Sequence, residues 1–275
     1  MENKKVKYIG RAFLILMAVI FAFPFLISVL LAFKSKQETA KSVLALPEKL
    51  HFENFSEAIV KANILRSMGN SIIITACSVV LVLVVASMAG YAIGRQYHKR
   101  GFRIYESILT ASMMIPFQTL MIPLYKMFRS MGLLNTLLGD ILLIAGINMP
   151  FAIMMYIGFV RTLPIELEEA AMLEGCTQFG IFRMIIFPLL KPTTVTIAVL
   201  DALWAWNDFN ASLLVLQKNE VKTVPMQQYV FFGEHSADYN MAFAAAVISM
   251  IPIVLFFIFM QKHIEEGMTA GAVKG

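Results

Sequence analysis

The chain is 275 residues long, 59% hydrophobic and only 15% charged, with a mean hydropathy of +0.72. Such a composition excludes a water-soluble domain and a disordered segment, and places the chain in lipid. Its net charge of +5 could suggest nucleic acid, but the basic residues gather at the ends of apolar stretches and no basic face is interleaved with aromatics, so no nucleic-acid partner is expected.

Six apolar stretches are long enough to cross roughly 30 Å of hydrocarbon at about twenty residues each. They lie near Ala12–Phe33, Ser71–Ile93, Ile104–Met127, Leu138–Phe159, Thr193–Leu216 and Met241–Met260. The first follows Lys4, Lys5, Lys7 and Arg11, as a signal peptide would. Its length exceeds the usual signal core of about 7–15 residues and no small-x-small cleavage site follows, so it reads as a retained first helix. The short connection after the second span carries Arg95, Lys99, Arg100 and Arg103. An excess of Lys and Arg marks the cytoplasmic side, which puts both termini in the cytoplasm. The 34–69 connection also has six Lys/Arg, but it is longer, holds four Glu and spreads its charge. Within it Asn54-Phe55-Ser56-Glu57 reads as an N-cap with Glu three residues on, followed by Ala58, Ile59, Ala62 and Leu65 on one helical face. This predicts an interfacial helix, serving either as a scaffold against the bilayer or as a contact for an extracytoplasmic protein.

In the second span Ala86, Gly90 and Gly94 recur every four residues, the spacing that lets helix backbones approach closely. Pro116 and Pro123 interrupt the third span, Pro150 the fourth and Pro252 the sixth. Prolines free carbonyls and permit bending, so spans three to six read as the moving, path-lining set.

The segment 161–192 between spans four and five has its own logic. Pro164 suits a first helical position, Glu166, Glu168 and Glu169 sit in the positive first turns, and Gly175 can take the left-handed conformation that stops a helix. Ala170 and Ala171 keep one side thin, while Leu167 and Leu173 add apolar grip. A second short helix is predicted from about Thr177, with Phe179, Phe182 and Ile186 on one face, before Pro188 and Pro192 break it. A solvated amphipathic loop is the plainer alternative.

The fifth span carries Asp201, Trp204, Trp206, Asn207, Asp208 and Asn210. Charged groups at membrane depth cost a few kcal/mol each, so these face protein or water. Helical spacing puts Trp204, Asp208 and Asp201 on one side, Trp206 and Asn210 on another and Asn207 between them. Aromatic faces stack on sugar C–H faces and Asn or Asp bonds paired hydroxyls, so Trp204, Trp206, Asn207, Asp208 and Asn210 are candidates for a carbohydrate path. A structural role at the interface or against a partner helix competes with that reading. Asp140, Asn148 and Gln118 are lesser candidates.

No G-x-x-x-x-G-K-[ST] is present, so this chain binds no ATP of its own. His51, His98, His235 and His263 fall on predicted loops without metal-site spacing, and Cys77 and Cys176 fall on parts of the topology that cannot meet. No catalytic residue, metal site or cofactor site is predicted.

Glu169-Ala170-Ala171-Met172-Leu173-Glu174-Gly175, followed after nine residues by Ile185-Ile186-Phe187-Pro188, resembles the EAA loop of permease subunits of bacterial ATP-binding-cassette importers. The likeness covers nearly the whole chain, most of all to sugar-importer permeases related to the shorter permease of the maltose system. It is carried also by Leu46-Pro47, Asn54-Phe55, Gly69-Asn70-Ser71, Met114-Ile115-Pro116 with Gln118, Leu163-Pro164, Trp206-Asn207-Asp208-Phe209 and the ending Gly267–Gly275. Phe187 stands where the family usually has Leu, and Glu174 where Asp is common. The resemblance implies an all-α integral membrane protein of the type I importer permease fold, a single domain over 1–275 with six transmembrane helices and a cytoplasmic EAA coupling helix. It implies a bacterial inner membrane location, a second permease as heterodimer partner, two ATPase subunits that bind ATP and magnesium, and an extracytoplasmic solute-binding protein. Glu166, Glu169, Ala170, Ala171, Gly175 and Pro188 would couple to the ATPase. The solute is expected to be a sugar or oligosaccharide. An importer subunit for a glycerol phosphate, an ion-driven secondary carrier and a non-transporting scaffold stay open as alternatives.

Overall fold

The computed structural model describes residues 4–232 and 238–272, with the side chains of 7, 8, 10–232 and 238–261. Helices α1 (Lys4–Ala32), α2 (Lys36–Lys41), α3 (Glu53–Lys61), α4 (Ile64–Arg95), α5 (Arg100–Ser112), α6 (Phe117–Ser130) and α7 (Leu137–Val160) follow one another. Next come α8 (Glu166–Leu173), α9 (Gln178–Ile181), a π-helical turn (Phe182–Ile186), α10 (Phe187–Leu189), α11 (Lys191–Asn207), α12 (Asn210–Val215), α13 (Val224–Gln228) and α14 (Tyr239–Ala272).

Among the described residues four helices are long and apolar enough to cross a membrane: Gly10–Ala32 within α1, then α4, α7 and Tyr239–Gln261 within α14. Counting each of two bent pairs as one span, α5 with α6 at 105° and Gln178–Leu189 with α11 at 73°, brings the number to six. The predicted straight third span is therefore broken. Pro116 has extended backbone at the start of α6, because its ring cannot donate to the preceding turn and disfavours helix in the residue before it. Pro123, Pro150 and Pro252, by contrast, stay inside α6, α7 and α14, where an interruption was expected. In a packed membrane helix the freed carbonyl finds other partners. The fifth span also departs from expectation: α11 stops at Asn207, Asp208 is extended (φ −66°, ψ 130°), and α12 begins at Asn210. Of the histidines predicted on loops, His263 falls within the backbone of α14 and His235 lies outside the described residues.

The chain, expected as one domain, divides into two compact units. The first comprises Met1–Arg66 with Met226–Pro252. The last carbonyls of a helix have no partner within it, and here side chains supply them. Asn54 donates to Ala32 O (2.9 Å) and Lys34 O (2.8 Å), and Asn240 donates to Leu31 O at 2.9 Å and Thr39 Oγ1 at 2.8 Å. Asn54 thus lies inside α3, whose N-cap is Phe52, and does not serve as the predicted cap. Ser35 and Glu38 cap α2 reciprocally. Glu38 accepts the amides of Ser35 and Glu48, both at 2.7 Å, and these bonds hold its carboxyl at about 2, below the ordinary 4.5. Lys34, fully buried, donates to Ser42 O and Val43 O.

The second unit is Ser67–Pro225 with Ile253–Gly275. Its core is the crossing of α4 and α7 under α11. Ala86 is buried, a Cβ on Gly90 would overlap Tyr156 Cβ, and one on Gly94 would lie 2.9 Å from a methyl of Val160. The small-residue stripe read from the sequence is the surface on which α7 packs. Tyr156 is completely buried and donates to Thr194 Oγ1 on α11 at 2.9 Å. Loops close the other end: Asn70 donates to Glu220 O and Lys222 O, both at 3.0 Å, and Asn135, at φ +59°, accepts the amides of Gln217 and Lys218.

Candidate functional site

Two places in the second unit gather the residues with chemistry. The first is the α8 corner. Glu166, Glu168 and Glu169 crowd the positive first turn of α8. Pro164 stands before the N-cap, Ile165, and so outside the helix it was expected to open. At the other end Gly175 N–H donates to Met172 O and Cys176 N–H to Ala171 O, both at 3.0 Å, a Schellman closure that needs positive φ at Gly175, where φ is +85°.

Ala171 is the one apolar α8 side chain turned inward; Leu167, Met172 and Leu173 point out, Leu173 at 90% exposure. Glu166, Glu169, Ala170, Gly175 and Pro188 are exposed as well. Of the six predicted coupling residues, five are thus exposed, and Ala171 is buried in the core. The following segment differs in detail from the predicted face: Thr177 caps α9, Ile181, Phe182 and Ile186 are buried, and Phe179 faces out. Pro188 cannot donate to a carbonyl one turn back, and the chain meets this by widening, with Phe187 N–H reaching Phe182 O across a π-helical turn.

Glu168 points the opposite way from its neighbours and is 4% exposed. It accepts from Arg95 Nε at 2.5 Å and from Tyr91 OH at 2.7 Å, while Arg95 Nη1 donates to Leu163 O at 3.0 Å. A groove of about 760 Å³ opens beside this pair, lined by Tyr91, Arg95, Lys99, Glu169 and Phe179 among others. Sequence reasoning used Arg95 only as a topology marker, read Glu168 as one of three acidic residues in the first turns of its helix, and left Tyr91 unassigned. A signal was present: Tyr91 and Arg95 are four apart on α4, on the helix whose glycines already announced close packing.

The second place is the break between α11 and α12. Trp204 is half exposed and stands edge-on to Phe151, ring centroids 5.0 Å apart. Both line a cavity of about 490 Å³ between α5, α6, α7 and α11, together with Ser112, Phe117 and Asn148. Asn207 and Asn210 are exposed, and Asn207 donates back to Leu203 O at 2.8 Å. Trp206 is buried, at 6% exposure. Asp208 accepts the amide of Ser212 at 2.8 Å and so caps α12. Asp201 is buried too, and Asp140 accepts from Ser212 Oγ at 2.9 Å. The exposed side of the chain here is thus Trp204, Asn207 and Asn210. The grouping of Trp204 with Asp208 fails because the helix ends at Asn207 and Asp208 turns to the amide of Ser212, while Asp201, three residues before Trp204 on the unbroken α11, is buried. Gln118 is exposed in the first turn of α6, away from that cavity's lining.

Long apolar helices, two bent helix pairs and a short exposed helix closed by a left-handed glycine mark an integral membrane subunit of the type I importer permease class. The chain belongs to the family of binding-protein-dependent transport system inner membrane components, whose model matches residues 83–270. It is 35% identical over 268 residues to the probable starch degradation products transport system permease protein AmyC of Thermoanaerobacterium thermosulfurigenes, covering 98% of this chain and 97% of that one. It is 36% identical to the melibiose/raffinose/stachyose import permease protein MelC of Bacillus subtilis, covering 92% and 91%. In fold it matches a chain of a bacterial ABC transporter that imports the acidic polysaccharide alginate, with a TM-score of 0.79 at 22% identity over 95% of this chain and 98% of that one. The protein is a multi-pass transport subunit of the inner membrane.

Proposed function

We propose that the chain forms one half of the path of an ATP-driven carbohydrate importer, with α8 as the knob that seats on a partner ATPase. The observation that carries the reading is the outward surface of α8, where Glu169, Ala170, Leu173 and Gly175 stand free of the chain's own core. In this reading a second permease completes the path, two ATPase subunits bind ATP and magnesium, and an extracytoplasmic binding protein delivers the solute. Both termini and α8 lie in the cytoplasm. Closure of the ATPase pair on ATP draws the two coupling helices together and turns the path outward, and hydrolysis returns it. The carbohydrate class is supported by relatives named for starch degradation products, for melibiose, raffinose and stachyose, and for arabinooligosaccharides. Trp204, with Phe151 beside it, offers an aromatic face for a sugar ring, and Asn148 offers hydroxyl bonds.

The test is mild-detergent purification of the tagged chain from its native membrane, followed by uptake into vesicles of raffinose, maltotriose, arabinotriose and glycerol 3-phosphate. Recovery of a second permease and an ATPase, with ATP-dependent uptake of one of the sugars, is the expected result. Uptake by this chain alone, driven by an ion gradient without ATP, would overturn the proposal; ATP-dependent uptake of glycerol phosphate alone would overturn its carbohydrate part.

A further inference from the structure

We infer that Glu168, Arg95 and Tyr91 form an internal peg that makes α8 and the end of α4 move as one lever. The inference rests on the reading of α8 as the ATPase-facing knob and concerns the side turned away from the ATPase. A short helix that receives force must be fixed to something, and apolar packing does little of that here. Ala171 is the one apolar side chain that α8 buries, and Leu173 at the far end is 90% exposed. What enters the chain from the first turn is a carboxylate. Glu168 reaches Arg95 and Tyr91 at 2.5 and 2.7 Å, and Arg95 also holds the carbonyl of Leu163, just ahead of the helix. The two charged side chains are 14% and 5% exposed, so water screens the pair weakly. Charge-assisted bonds of fixed direction resist rotation in a way that a single methyl contact does not. On the other side, Gly90 and Gly94 lock the same α4 onto α7. A displacement of α8 is thereby handed to the crossing at the centre of the unit. These are positioning residues, which act through α8 and α4.

The experiment uses the whole transporter. Spin labels are placed at Met172→Cys on α8 and His98→Cys after α4, both in the lining of the groove beside the peg, with Cys77→Ser and Cys176→Ser in the background. Distances are read without nucleotide and with ATP and vanadate. With the peg intact, one distance is expected in both states, shifting by no more than the roughly 1–2 Å typical of packed helices. In Glu168→Gln a second, longer distance is expected with ATP and vanadate, and solute carried per ATP hydrolysed should fall about tenfold, within the range of couplings between sites. Tyr91→Phe keeps the ion pair and should show the same second distance at a smaller fraction; it decides the matter if Glu168→Gln does not insert. A single unchanged distance in a correctly assembled variant, with transport per ATP unaltered, would overturn the peg and leave the ATPase-facing reading of α8 intact. Failure of any ATPase to accompany the unsubstituted chain would overturn that reading and the peg with it.

Discussion

The α8 corner and the α11–α12 break both bring carboxylates into the interior of the second unit, and they treat them differently. At the corner Glu168 accepts from a cation and a phenol, and the cation in turn donates to the carbonyl of Leu163. At the break Asp208 spends its charge on the amide end of a short helix, and Asp140 takes one hydroxyl. Burying a charge is costly unless partners replace water. The corner therefore joins elements far apart in sequence, whereas Asp208 at the break mainly shapes the backbone next to it.

The largest effect expected from breaking this contrast is Glu168→Leu. It would strand the Arg95 guanidinium, a loss of about 3–5 kcal/mol for one removed partner of a buried pair. Detergent thermal unfolding should show it, and Arg95→Met with Glu168→Leu should recover most of the loss; no recovery would mean that the pair is not what holds α8. Trp206→Ala comes next, at about 3–5 kcal/mol for a buried aromatic at the upper end. It should lower the yield of folded protein, while Trp204→Ala should leave yield alone and depress uptake. Equal behaviour of the two tryptophans would erase the division between the packed and the open side of α11. Gly175→Val follows, because a β-branched residue at φ +85° costs about 1–2 kcal/mol even though open space surrounds the position. Co-purification with the ATPase should weaken and Gly175→Asn should keep it; loss in both would point to a direct contact instead of backbone shape. Asp208→Ala should cost about 1 kcal/mol as a lost cap, visible as faster hydrogen exchange at Ser212 and unchanged exchange at α8.

The smallest effect lies in the first unit. Glu38 is held below its ordinary range, so its stabilising bonds are complete above about 4.5 and are lost as pH falls toward about 2. Protection of the Glu48 amide should decline across that window, and Glu38→Gln should abolish the decline.

Sequence alone determined what repeats locally or sits at fixed spacing. Apolar length marked the four unbroken membrane helices, the interval of Ala86, Gly90 and Gly94 marked the crossing face, and the acidic start with Gly175 marked α8, because each is a property of neighbours on one helix. Which of the three glutamates in the first turn turns inward was decided only in three dimensions, since Glu168 is selected by Arg95 and Tyr91 from another helix more than seventy residues away. The same holds at the fifth span. Periodicity assumed an unbroken helix through Asn210, but the chain leaves helical geometry at Asp208 and starts α12 two residues later, so every face assignment beyond that point had to change. A period predicts faces only while the backbone keeps it, and here Ser212 stabilises the interruption twice, its amide bonding nearby Asp208 and its hydroxyl bonding Asp140 on α7.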